Sequence, residues 1–120
     1  MKVLVTGSRN FPDESKVHMA LDVWADGYVV VGDCPTGADK FARQWCDSKG
    51  VECEVHYADW DAHGRAAGPI RNQVMIDAKP DLVIAFYHGD SRGTRDCVRR
   101  ALIARIPVLE YYSDKKDMEQ

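Results

Sequence analysis

The chain reads as an α/β domain in which a five-stranded, mostly parallel sheet is covered by helices on both faces. Three observations predict it. Short apolar runs of strand length alternate with amphipathic helical stretches almost without interruption, the pattern of a sheet buried on both sides. Two strands run straight into glycine-punctuated loops that open helices: Gly32-Asp33-Cys34-Pro35-Thr36-Gly37-Ala38-Asp39 and His88-Gly89-Asp90-Ser91-Arg92-Gly93-Thr94. Plain turn signals at Gly27, Gly50, Lys79-Pro80 and Ile106-Pro107 return the chain from helix to strand.

Lys2 to Thr6 is the first strand. From about Asp13 to Ala25, Val17, Ala20, Leu21 and Trp24 share one helical stripe, and Gly27 stops the helix. Tyr28 to Val31 is the second strand. Thr36 is placed to cap the next helix with Asp39 three positions on; Ala38, Phe41, Ala42 and Trp45 form its apolar face and Gly50 ends it. Val51 to about His56 is the third strand. Tyr57 to Gly68 has no periodicity, and a loop that long in so economical a chain is expected to carry a function. Pro69 suits the first turn of a helix to about Ala78, with Ile70 and Val74 facing inward. Asp81 to Phe86 is the fourth strand. The helix after it turns Cys97, Val98, Ala101 and Leu102 toward the core and stops before Pro107, and Val108 to about Tyr111 closes the sheet. Residues 1–112 are one domain on this reading, and 113–120 a charged tail expected to fray.

Composition narrows the function classes. At 120 residues and 45% hydrophobic, the chain builds one core and is too short for two. A formal charge of −3 argues against coating nucleic acid through bulk electrostatics, so any anion site is local. Cysteines 34, 46, 53 and 97 form no Cys-x-x-Cys pair and no secreted-domain framework, and the N-terminus lacks a signal-peptide hydrophobic region, so a cytoplasmic location is expected. No apolar run approaches the roughly 18 to 20 residues that span a bilayer, and no membrane partner is expected. His56, His63 and His88, with Cys34, match no zinc spacing, so neither metal nor cofactor is expected.

Right-handed crossovers bring the loops after parallel strands to one edge of the sheet, where ligands bind at the reversal of strand order. That edge collects Gly7-Ser8-Arg9, Gly32 to Asp39, the loop from Tyr57 to Gly68, and His88 to Thr94. Backbone N–H groups at a helix N-terminus lack intrahelical acceptors and the helix dipole favours an anion there, while Gly89 and Gly93 let a phosphate approach the main chain. Two such loops point to a nucleotide or a sugar phosphate. Gly32-x4-Gly37 has P-loop glycine spacing, but Ala38 and Asp39 stand where that motif needs a lysine and a hydroxyl. Thr6-Gly7-Ser8-Arg9-Asn10-Phe11 offers one glycine, short of the dinucleotide fingerprint.

The pieces Val-Thr-Gly-Ser-Arg at the start, Gly-Asp-Cys-Pro-Thr-Gly-Ala-Asp after the second strand, Ala-Asp-Trp followed by Ala-Gly-Pro-Ile-Arg-Asn-Gln-Val-Met, and Ser-Arg-Gly-Thr resemble the YspA/YpsA-related branch of the SLOG superfamily. The resemblance implies a Rossmann-like three-layer α/β/α fold with strand order 3-2-1-4-5. It also brings relatives of different activity: the "lonely guy" phosphoribohydrolases, molybdenum-cofactor carriers and the single-strand DNA-binding protein DprA. The phosphoribohydrolases use an arginine in an Arg-Lys-x-x-Met setting and a glutamate in Pro-Gly-Gly-x-Gly-Thr-x-x-Glu. Arg71-Asn72-Gln73-Val74-Met75 is similar to the first with Asn for Lys; Gly93-Thr94 is similar to the second, but Cys97 occupies the place of the glutamate. A thiol does not replace a carboxylate that must offset positive charge developing on a ribose. The resemblance further implies a homodimer or higher homo-oligomer, with Trp24, Trp45 or the last helix as candidate contacts.

Asp33 is the preferred substitute carboxylate among Asp33, Asp59, Asp61, Asp90 and Asp96, because it directly follows a strand among backbone donors; capping its own turn is the plainer use. Asp33 and Arg71 are therefore the candidate catalytic residues. Candidate ligand-binding residues are Gly7, Ser8, Arg9, Gly32, Asp33, Thr36, Gly37, Arg71, Asn72, Gly89, Ser91, Arg92, Gly93 and Thr94. The guanidinium groups of Arg9, Arg71 and Arg92 match phosphate oxygens and equally serve surface ion pairs. Trp60 is placed either to stack on a base or to anchor its loop, and Arg65 to contact ligand or solvent. The expected function is binding of a nucleotide or nucleotide-derived phosphate ligand at the strand C-terminal edge, as a ligand-binding or sensor module. The alternative is an N-glycosidic hydrolase acting on a nucleoside monophosphate or ADP-ribose-type substrate.

Overall fold

The computed structural model describes residues 1–113. In chain order the elements are β1 (Lys2–Gly7), α1 (Glu14–Trp24), β2 (Tyr28–Gly32), α2 (Gly37–Lys49), β3 (Glu52–His56), α3 (Trp60–His63), a 3-10 turn (Gly64–Ala66), α4 (Ala67–Asp77), β4 (Leu82–Tyr87), α5 (Arg92–Ile103) and β5 (Val108–Tyr112). Every adjacent pair of strands is parallel and the order is β3-β2-β1-β4-β5. This is the three-layer Rossmann-like arrangement expected from the sequence.

Strand periodicity explains the layers. Val3, Val5, Val29, Val31, Ile84 and Phe86 point to one face, where Val17, Ala20 and Leu21 of α1 and Ala38, Ala42 and Trp45 of α2 cover them. Leu4, Val30 and Val83 point to the other, against Met75 and Ile76 of α4 and Cys97 and Ala101 of α5. Burial of both faces accounts for the unbroken apolar runs of the inner strands, whereas β3 and β5 at the edges are only partly buried. The chain moves outward from β1 to β3 on one side and from β4 to β5 on the other, so the order reverses between β1 and β4. Ser8 joins their ends: its N–H donates to the Phe86 carbonyl (2.9 Å), and its Oγ accepts the His88 N–H (3.0 Å).

Four local expectations are corrected. The stretch from Tyr57 to Gly68 is not a structureless loop: Asp59 caps α3 by accepting the Ala62 N–H (3.0 Å), and the 3-10 turn leads directly into α4. Helix α4 begins two residues before Pro69 and is rotated relative to the sequence reading, so Ile70 and Val74 are exposed while Gly68, Asn72, Met75 and Ile76 are buried. On α5 the inward stripe is Thr94, Cys97, Val98 and Ala101, leaving Leu102 outside. Trp45 is a core wall, with its Nε1 donating to Asp22 Oδ1 (2.8 Å), which removes it as a surface for another subunit. Trp24 remains partly exposed. Residues 114–120 of the expected tail lie outside the described residues; Ser113 is described, and its N–H donates to the Tyr87 carbonyl (3.0 Å). Among the described residues no helix is long and apolar enough to cross a membrane.

Candidate functional site

A cleft of about 510 Å³ opens at the C-terminal ends of β1 and β2, beside the β1/β4 reversal, with α4 and α5 forming its far side. From β1 it receives Gly7, Ser8 and Arg9. Gly7 is needed for packing, since a Cβ there would lie 2.5 Å from Ala38 Cβ and 2.8 Å from the Phe86 carbonyl oxygen. Arg9 is exposed at the rim, and its carbonyl accepts the Thr36 hydroxyl (2.6 Å), which latches the first loop to the second.

The second loop divides. Gly32 lines the cleft, whereas Asp33, Thr36 and Gly37 are not part of its lining. A Cβ on Gly32 would meet Arg71 Nη1 at 2.6 Å and Asp39 Oδ2 at 2.8 Å, so the missing side chain makes room for both charged groups. Gly37 has φ +69, and a Cβ there would strike the Ser8 carbonyl oxygen at 2.3 Å; its role is in the backbone crossing. Arg43 braces the same loop by donating from Nη1 to the Gly32 carbonyl (3.1 Å) and from Nη2 to that of Cys34 (2.8 Å).

The wall from α5 is the anion-receptive part. Ser91 occupies the N-cap position without a side-chain cap, its hydroxyl pairing instead with that of Thr94 (2.6 Å). The first-turn amides of Arg92, Gly93 and Thr94 have no intrahelical acceptor, and these residues line the cleft. Gly89, at φ +63, shapes the approach to this turn and does not itself line the cleft. Asp90 does line it and pairs with Arg95 (2.9 Å).

Arg71 reaches the cleft from α4 under tight control. Nη1 donates to Asp33 Oδ1 (3.0 Å) and Nε to Asn72 Oδ1 (3.1 Å), so two of the three guanidinium nitrogens are held from behind. Asn72 is buried, and its Nδ2 donates both to the Gly93 carbonyl (3.2 Å) and to Asp96 Oδ2 (3.0 Å). One amide thus ties the arginine of α4 to the first turn of α5. The inward rotation of α4 has this cause: a buried polar side chain is tolerated because its hydrogen bonds are made.

Among the carboxylates, the sequence reading passed over Asp39. It lines the cleft, is 6% exposed, and accepts the Cys34 N–H on Oδ2 (3.2 Å). Burial pushes its carboxyl up to about 6, against the opposing pull of Arg71, the Cys34 amide and Arg43. The expected capping box does not form: the Thr36 hydroxyl turns to Arg9, and the Asp39 carboxylate reaches past Thr36 to Cys34. The available signal was positional, an acid in the first turn of a helix that starts beside the strand reversal.

The other candidates lie elsewhere. Cys97 is fully buried and desolvation pushes its thiol up to about 11, so no charged group stands in the place of the relatives' glutamate. Burial acts to raise Asp96, but hydrogen bonds from Arg100, Asn72 and Arg99 outweigh it and hold the carboxyl below its ordinary value. Asp59 caps α3, and Asp61 is exposed on that helix. Trp60 abuts Gly68 and, like exposed Arg65, is outside the cleft lining. His56 pairs with Glu54, His63 is exposed on α3, and His88 Nδ1 shares a hydrogen bond with Ser113 Oγ (2.8 Å). Among the described residues no group of three or more His, Cys, Asp or Glu is arranged to hold a metal ion.

Residues 1–63 match the model of the YspA, cpYpsA-related SLOG family. The "Gene 61 protein" of Mycobacterium phage D29 is 41% identical over 122 residues, covering 92% of this chain and 95% of that protein. The family match takes in the loops after β1 and β2, and the phage relative extends the similarity along nearly the whole chain. With more than half of its residues inside the family match, the chain belongs to the YspA, cpYpsA-related SLOG family.

Proposed function

We propose that the cleft binds a nucleotide or nucleotide-derived phosphate ligand and that the protein is a ligand-binding or sensor module. The observation that carries this reading is the first turn of α5, whose N-cap side chain leaves its amides uncapped, on a cleft that Arg9, Arg71 and Arg92 also line. Helix amides and guanidinium groups together suit a phosphate, and the volume accommodates a mononucleotide. Family membership is consistent with a nucleotide-related role. Asp33, in this reading, orients Arg71 from behind.

One observation favours N-glycosidic hydrolysis as a second reading: Asp39 and Asp90 are carboxylates on the cleft wall, available to offset positive charge on a ribose although Cys97 is not. The experiment is incubation of the purified protein with nucleoside monophosphates and with ADP-ribose, followed by mass spectrometry for free base and for retained, unmodified ligand. Retention without turnover, lost in Arg71→Ala, is the expected result. Base release abolished by Asp39→Asn or Asp33→Asn would replace the sensor reading with the hydrolase, and absence of both retention and turnover would overturn the nucleotide site.

A further inference from the structure

The cleft is not uniformly cationic. On the same cleft as the first turn of α5, in the first turn of α2, stands Asp39, more than nine-tenths buried and yet part of the lining. Its Oδ2 is engaged by the Cys34 amide, whereas Oδ1 meets no donor among the described residues. Since no buried side-chain polar atom among those residues lacks a partner, Oδ1 opens on the cleft. Gly32 leaves room beside the other oxygen, since a Cβ there would lie 2.8 Å from Oδ2.

We infer that Asp39 is a hydroxyl-binding subsite, and that the ligand is a sugar phosphate whose ring hydroxyl donates to Oδ1 while its phosphate lies at the first turn of α5. The inference rests on the phosphate reading above and adds the chemistry of the ligand's other end. A second phosphate beside Asp39 would be repelled by it. A cationic group would be repelled by Arg71 from α4 and Arg43 from α2, both close enough to act on this carboxylate. A neutral donor suits both signs of charge, and a hydroxyl on a carboxylate forms a charge-assisted bond. The other titratable groups that sense Asp39 are Asp33 on its own loop and the thiols of Cys53 on β3 and Cys97 on α5. An ionised carboxylate accepts a hydroxyl more strongly than a neutral carboxyl does, so hydroxyl recognition strengthens as pH rises through the carboxyl's folded value, which burial has raised to about 6.

The test compares three probes on the whole protein by calorimetry at pH 5 and pH 7.5: ribose 5-phosphate, tetrahydrofurfuryl phosphate, which keeps the ring and lacks the hydroxyls, and inorganic phosphate. The two organic probes carry the same kind of phosphate monoester, so its own ionisation largely cancels in their ratio. Ribose 5-phosphate is expected to bind about tenfold tighter than tetrahydrofurfuryl phosphate at pH 7.5, with the preference shrinking to about threefold or less at pH 5. In Asp39→Asn the small ratio should hold at both pH values. Equal affinities of the two organic probes at pH 7.5, or a ratio unchanged by Asp39→Asn, overturn the subsite and leave the phosphate reading standing. If none of the three probes binds, the phosphate reading falls first and the subsite with it. Should Asp39→Asn fail to fold, the ¹³C titration of the Asp39 carboxyl in the native sequence decides: its midpoint is expected to be lower with saturating ribose 5-phosphate than with saturating tetrahydrofurfuryl phosphate, whose phosphate exerts the same charge effect, and equal midpoints refute the subsite.

Discussion

Replacing Asp39 by asparagine should make the protein more resistant to urea near neutral pH than its parent, and the advantage should vanish in acid. The folded carboxyl ionises at about 6 against a reference value of 3.8. A raised value in the folded state means that folding favours the protonated form. The stabilisation is therefore complete below about 3.8 and is lost as pH rises through about 6. Roughly two pH units at about 1.4 kcal/mol each give about 3 kcal/mol across the full titration, undiminished by solvent screening because the group is almost wholly buried. Asparagine keeps an acceptor for the Cys34 N–H and does not titrate. The difference in unfolding free energy between variant and parent, measured by urea denaturation at unit steps from pH 4 to pH 7, should thus shift by about 2.4 kcal/mol in favour of the variant, most of the full effect. Titrations common to both proteins cancel in that difference. A flat difference would refute the reasoning, because it would mean that Asp39 ionises as freely in the folded protein as in the unfolded chain.

Gly32→Ala and Gly37→Ala should separate function from folding. At Gly32 the new methyl meets the far ends of two side chains, which swing aside at a cost of about 1 kcal/mol while displacing Arg71 and Asp39 from the cleft, so phosphate affinity falls with little change in the urea midpoint. At Gly37 it meets backbone in a left-handed conformation, and a loss of about 3 kcal/mol or more in urea denaturation is expected. Asn72→Ala removes hydrogen bonds to Arg71, Gly93 and Asp96, costing about 1–3 kcal/mol by denaturation and speeding amide hydrogen exchange in the first turn of α5. Trp60→Ala should leave phosphate-ligand affinity within about twofold in calorimetry, because Trp60 sits outside the cleft lining.

Element order and layer assignment were readable in the sequence because both periodicities are strong. Val3, Val5, Val29 and Val31 announce inner strands, and Val17, Ala20 and Leu21 on α1 and Ala38, Ala42 and Trp45 on α2 are buried as their stripes predict, although Trp24 at the end of the α1 stripe is exposed. Helix α4 defeated the same reasoning. Ile70 and Val74 looked like its core face, but the buried stripe is Gly68, Asn72, Met75 and Ile76, and hydropathy alone does not turn an asparagine inward. What turns it inward are partners on α5 more than twenty residues away. Asp33 and Asp39 show the same limit. Both were readable as acids in a loop that opens a helix; that Arg71, 38 residues on from Asp33, engages that carboxylate while the other stays open to the cleft is decided by the tertiary fold.

The rotation of α4 is therefore part of how the site is made. Had Ile70 and Val74 faced inward, the apolar contact would have served the core equally well, and Arg71 would have left the cleft side of the helix. Instead a buried amide takes the place of an aliphatic side chain, and its bonds run to an arginine on one element and to the first turn of another. Networks of this kind add little to net stability, since each bond replaces one to water, but they impose a single geometry because every broken bond leaves a buried group unsatisfied. The exposed Ile70 and Val74 are the counterpart of that choice. A chain of net charge −3 thereby brings Arg71 to the same cleft as the α5 amides and holds it against Asp33, so the attraction for an anion resides in one corner of the fold and not in its overall charge.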